Sequence, residues 1–221
     1  MRPDLPHVPL EAGAGPDNPP CPACGEPLFP WVGMPVGTGT AHRCEACGLG
    51  VLIQHAEPAR PDLEAAFDPG TTAGALEALD EEAGEDGSLR FLNRSSLQAS
   101  LSGGAWTGLG TDRPYVFTPD ALRDLVANRD QVVTELRWLP GTGIATMWQS
   151  GINMFTFGQN VALGALGRAF AVPARRGWQR VLDGFISVAL AIPAAVVALP
   201  LELLGGLFRR GGAYRARFQV L

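Results

Sequence analysis

Lysine is absent from this 221-residue chain: all 17 basic residues are arginine, a bias of the kind a GC-rich genome imposes rather than a functional signal. Histidine is scarce, and the three present, His7, His42 and His55, all lie in the first quarter. Ser95 and Ser96 therefore have no histidine near them in sequence, and no catalytic constellation is evident. No Walker sequence occurs. The nearest approach to a nucleotide-type glycine turn is Glu11-Ala-Gly13-Ala-Gly15. Pro6 and Pro9 before it, and Pro16, Pro19 and Pro20 after it, leave no strand leading in and no helix leading out. The run Asp80-Glu81-Glu82 reads as a solvated acidic face rather than a paired-carboxylate site. The opening residues Met1-Arg2-Pro3-Asp4 carry no apolar run of the secretory kind, so a cytoplasmic location is expected.

Charge is also missing locally. Trp138 to Gly167 contains no charged side chain, and neither does the eighteen-residue stretch Gly184–Leu201. The charges that exist are unevenly divided. Residues 1–137 hold nine arginines against twenty acids, a net of −11, whereas residues 138–221 hold eight arginines against Asp183 and Glu202, a net of +6. A basic region built around apolar segments suits lipid head groups. It does not suit nucleic acid, because the arginines flank apolar runs instead of interleaving with exposed aromatics.

Of what is present, the cysteines say most. Cys21-Pro-Ala-Cys24-Gly25 and Cys44-Glu-Ala-Cys47-Gly48 are separated by nineteen residues, and no cysteine is left over. Two residues between the members of a pair let both sulfurs turn to one point, and the following glycine permits the tight turn. Two such knuckles supply four thiolates to one tetrahedral ion, the pattern of a structural zinc site. Four protein ligands leave no open position for catalysis. Gly33, Gly37 and Gly39 read as loop glycines between the knuckles. The segment containing Trp31 and Val32 should form the hairpin of a zinc ribbon, and His42 and His55 are not needed as ligands.

The rest of the chain predicts an α+β protein. Residues 1–20, rich in proline and glycine, are expected to be a disordered leader, followed by the ribbon over 21–56. A short helix is expected near Ala73–Ala83, a strand at Leu89–Leu92 and a helical turn at Ser95–Leu101. Thr118-Pro119-Asp120 is a strong helix start, with a capping hydroxyl, proline in the first turn and an acid at the positive end of the dipole. Val132–Leu139 reads as a strand. Residues 57–139 thus form an α/β piece, and residues 140–221 an amphipathic and apolar helical region. Gln149, Asn153, Thr156 and Asn160 share one helical face, which suggests an interfacial helix with an uncharged polar side. Gly184–Leu201 spans about 27 Å if helical, just short of a hydrocarbon core of about 30 Å. Pro193 and Pro200 interrupt it, and arginines lie on both flanks. A shallow membrane hairpin is expected there, with both ends on the cytoplasmic side, the alternative being that both segments are helices buried against protein.

Three stretches carry a family resemblance: Asn93-Arg-Ser-Ser96-Leu97-Gln98, Trp106-Thr-Gly-Leu109, and Asp112-Arg113-Pro114-Tyr115-Val116-Phe117-Thr118-Pro119-Asp120-Ala121-Leu122. Together they resemble the late segment of class I S-adenosylmethionine-dependent methyltransferases that open with a four-cysteine zinc ribbon. The tail, apolar from Leu199, then Arg209-Arg210-Gly211-Gly212 and a strand-like Arg215–Val220, has a similar cadence. Such a family would place its cofactor-binding half, about a hundred residues, between ribbon and Asn93. Only some forty residues intervene here, and the family's Pro-Arg-His is represented by Asp112-Arg113-Pro114-Tyr115, without a histidine. No catalytic or cofactor-binding residue carries over.

The resemblance implies a non-catalytic descendant acting as a membrane-peripheral adaptor or partner subunit, with a protein partner and with membrane contact through residues 140–210. Two other readings stay open. One is a transferase completed by a partner chain, and the other a ribbon regulator that contacts nucleic acid or transcription machinery.

Overall fold

A computed structural model describes residues 18–33, 39–54, 71–84, 87–109, 114–167, 171–174 and 176–220. The expected leader up to residue 17 and His55 lie outside the described residues.

The first sheet is the ribbon. Strands β1 (Leu28–Gly33) and β2 (Gly39–Cys44) form the expected hairpin, and β3 (Gly50–Gln54) pairs with β2, all antiparallel. A fourth strand comes from further along the chain. After helix α1 (Thr72–Glu82), strand β4 (Ser88–Leu92) and helix α2 (Leu97–Ser102), the two-residue strand β5 (Tyr115–Val116) closes the ribbon sheet against β3. The Thr118 hydroxyl accepts from the Ala121 amide and starts helix α3 (Pro119–Ala127), as its sequence predicts. Thr71 and Ser96 cap α1 and α2 in the same way.

The second sheet has three strands in the order β4-β7-β6, where β6 is Gln131–Trp138 and β7 is Ala213–Val220. The last strand of the chain is therefore the central one, hydrogen-bonded on both edges. One core joins the two sheets, running from Cys21, Leu28, Cys44 and Leu49 through Leu79, Leu89, Phe91 and Phe117 to Leu122, Leu125 and Tyr214. Strand β5, from outside residues 21–56, pairs in the ribbon sheet, and β7, from outside residues 57–139, pairs with β4 and β6.

The remaining layer is helical: α4 (Pro140–Asn153), α5 (Val161–Ala165) and α6 (Gly177–Leu207). Helix α6, with 31 residues, is about 46 Å long. It differs from the expected hairpin, because it runs unbroken through Pro193 and Pro200. Each proline removes one helical hydrogen bond. Both residues are exposed and sit seven positions apart on the outward side, so their rings leave the packing of α6 on α4 undisturbed.

Candidate metal centre

Cys21 and Cys24 lie on the turn before β1, while Cys44 ends β2 and Cys47 lies on the turn that follows, so the hairpin brings the two knuckles to one end. The glycine after each pair takes the left-handed conformation, with φ of 79° at Gly25 and 81° at Gly48. The four sulfurs lie within 4.8 Å of one another, with Cys21 Sγ 3.6 Å from Cys47 Sγ and Cys24 Sγ 3.5 Å from Cys44 Sγ. A tetrahedral ion with metal–sulfur bonds of about 2.3 Å requires sulfurs about 3.8 Å apart, so the donor set fits one ion. It is the one group of potential metal ligands among the described residues, and His42 is not part of it.

The thiols do not titrate alike. The sulfur contact with Cys47 holds Cys21 down to about 5. The same contact pushes Cys47 well above the usual thiol range, and burial adds to the effect. Burial pushes Cys24 up to about 11. Within the Cys21–Cys47 contact the charge is thus favoured on Cys21 and the proton on Cys47. A metal must displace the thiol protons, so its affinity falls as the pH falls.

The surroundings of the cluster come from the α/β segment. The Thr118 hydroxyl donates to the Cys47 carbonyl at 2.6 Å, and Arg94 Nη1 donates to the Gly48 carbonyl at 3.0 Å. Thr72 does the same for the Pro22 carbonyl in the first knuckle. The Arg94 guanidinium lies 4.5 Å from the centre of the Trp31 ring. Burial first, and Arg43 after it, bring its pKa down to about 10 against the upward pull of Cys44 and Cys47. It stays charged at neutral pH beside the cysteine cluster. Neither Arg94 nor Thr118 is signalled as a site residue by sequence spacing, since each lies more than forty positions from the cysteine turn it supports.

Away from the ribbon, α4 ends at Asn153, so only Gln149 and Asn153 share a helical face; Thr156 and Asn160 lie beyond it, and Gln149, Asn153 and Asn160 turn inward together. Gln149 Nε2 donates to Asn153 Oδ1 at 2.8 Å, and Asn153 Nδ2 donates to Asn160 Oδ1 and to the Ala105 carbonyl. Gln149 Oε1 accepts from the Leu163 amide. The expected interfacial helix is corrected here: its polar side is a closed internal network and is not offered to head groups. Both acids of α6 are also turned inward. Asp183 accepts from the Phe157 and Gly158 amides, and Glu202 accepts from the Trp138 indole and the Gly212 amide.

The outward side of α6 is correspondingly apolar. Phe185, Val188, Ile192 and Leu207 are each more than 70% exposed, and only 6% of the helix's apolar eighteen-residue window is buried. By length and composition α6 is the one helix among the described residues able to cross a membrane.

No protein-family model, curated protein or solved structure matches the chain.

Proposed function

We propose that this chain is a non-catalytic, methyltransferase-derived zinc-ribbon protein that works at the cytoplasmic face of a membrane as an adaptor or partner subunit. The observation that carries the reading is the inside-out layering of the C-terminal helices. Asp183, Ser187, Ala198, Glu202 and Gly205 are buried, while the large apolar side chains of the same helix face out. Small and polar residues inside, with apolar residues outside, is how helices pack where lipid is the solvent. A soluble monomer rarely exposes so large an apolar surface.

Zinc is the ion that best suits four closely spaced thiolates in a closed tetrahedral set. Its role is to hold the ribbon together, because so small a sheet cannot stabilise itself by burial alone. The methyltransferase ancestry rests on the sequence resemblance of residues 93–122, and the partner role on the missing cofactor-binding half.

The test is fractionation of the full-length tagged chain, followed by metal analysis and titration of the detergent-solubilised protein with S-adenosylmethionine. The expected outcome is recovery with membranes, close to one zinc per chain, and no micromolar binding of the methyl donor. Micromolar binding, about −8 kcal/mol, would promote the transferase reading instead. Full recovery in the soluble fraction at low salt would remove the membrane role.

A further inference from the structure

Resting on the membrane reading above, we infer that α6 lies in the plane of an anionic phospholipid leaflet, sunk along its whole length and pinned at both ends by arginine, and does not cross the bilayer. The first ground is what covers its inner side. The Phe157 and Gly158 amides bind Asp183 near the start of α6, the Trp148 indole donates to the Ala191 carbonyl in the middle, and the Trp138 indole binds Glu202 near the end. Protein therefore backs α6 from end to end.

The backing layer is itself backed. Thr107 binds Ser150 of α4, Gln159 Nε2 donates to the Trp106 carbonyl, and the Trp106 ring lies 6.2 Å from that of Trp31 in the ribbon. The order from outside in is α6, α4, the 105–107 segment, then the ribbon. If α6 crossed a bilayer, α4 and the Trp31 hairpin stacked behind its middle would have to enter alongside it, bringing the Arg94 guanidinium that lies on Trp31. Charged groups at that depth are costly. Laid flat, the same stack leaves only α6 in the lipid, where an in-plane helix sinks by about 5–10 Å.

The second ground is charge. With Asp183 and Glu202 turned inward, the outward side of α6 carries no charge between Arg180 and Arg209, a distance of about 43 Å along the helix. Arg176 and Arg180 are exposed at one end and Arg209 at the other. Aromatic rings accompany them: Trp178, which meets Phe157 edge-on at 5.5 Å, and Phe208. Arginine beside an aromatic ring is the dress of a membrane interface, and both ends of α6 carry it. Arginine at both ends, with no exposed acid between, selects anionic over zwitterionic head groups.

The experiment uses the full metal-loaded chain and vesicles of phosphatidylcholine with or without phosphatidylglycerol. Flotation should show strong binding to the anionic vesicles. It should weaken by about fivefold for each arginine removed in Arg176→Gln, Arg180→Gln and Arg209→Gln, on the order of a hundredfold for all three. A spin label introduced as an unnatural amino acid at Phe185, Ile192, Val196 and Leu203 in turn should report one shallow depth at all four. A depth that peaks at Ile192 and Val196 and falls toward both ends means a transbilayer helix, which overturns this inference and leaves the membrane reading intact. Equal binding to neutral vesicles overturns the anionic selection. No binding to any vesicle, with dimerisation that buries the labelled positions, means that a second copy covers the face, and then both readings fall.

Discussion

Arg94 stands where two requirements meet. Four thiolates around one divalent ion leave a net charge of about −2, and a buried site must offset it. Arg94 supplies a cation there while its Nη1 ties the second knuckle through the Gly48 carbonyl and its guanidinium lies over the Trp31 ring. Arg94→Met keeps the stem and removes both the charge and the hydrogen bond. The expected result is metal affinity lower by at least about tenfold, with the ribbon still folded in excess zinc, measured by competition with a chromogenic chelator. Cys44→Ser in the same assay should lose the metal and the ribbon together. The ligands were legible in the sequence because both members of each pair and the turning glycine lie within five residues. Arg94 was not, because it is 46 positions from the carbonyl it binds.

At the scale of elements, α6 has two sides with opposite tolerances. Its inner stripe is made of small or hydrogen-bonded residues that let α4 approach closely, as where a Cβ added at Gly151 would come within 3.8 Å of the Ala194 side chain. Ala198→Leu overfills that interface and should cost about 1–3 kcal/mol, read as a lower melting temperature in detergent. Val196→Glu, two residues away on the outer side, should leave melting within about 0.5 kcal/mol of wild type and abolish vesicle binding. If the two effects were exchanged, the orientation of α6 would be wrong. The pattern of spacings foretold helices at 72–82, 97–102 and 119–127 and strands at 88–92 and 131–138 to within a few residues. It misjudged α6 because proline propensity argues for a break, whereas packing along α4 holds the helix through both prolines.

For the molecule as a whole, the position of β7 matters most. It fills the slot between β4 and β6, and its Tyr214 stacks on Phe91 with ring centres 6.1 Å apart. A chain stopped after Arg210 loses that strand and the Gly212 amide that Glu202 accepts from, leaving Leu89 and Phe91 open to water. Such a truncation should not yield a protease-resistant ribbon, since Phe91 and the cysteines share one core. Limited proteolysis decides: a resistant fragment spanning Cys21 to Trp138 would mean that the two parts fold independently.

By itself the sequence determined the metal cluster, the helix caps and the strand positions, because each depends on partners a few residues apart. It also placed Gln149 and Asn153 on one face of α4 through the period of 3.6. Which face is inside was decided only by the tertiary structure. Periodicity separates two sides without choosing between them, and the usual choice, apolar inside, is reversed where Gln149, Asn153, Asp183 and Glu202 find their hydrogen bonds only in the interior. The chain's end likewise looked like an apolar tail with a strand after it. Only the folded sheet, in which β4 and β6 lie far apart in sequence and need a common neighbour, made that strand its centre.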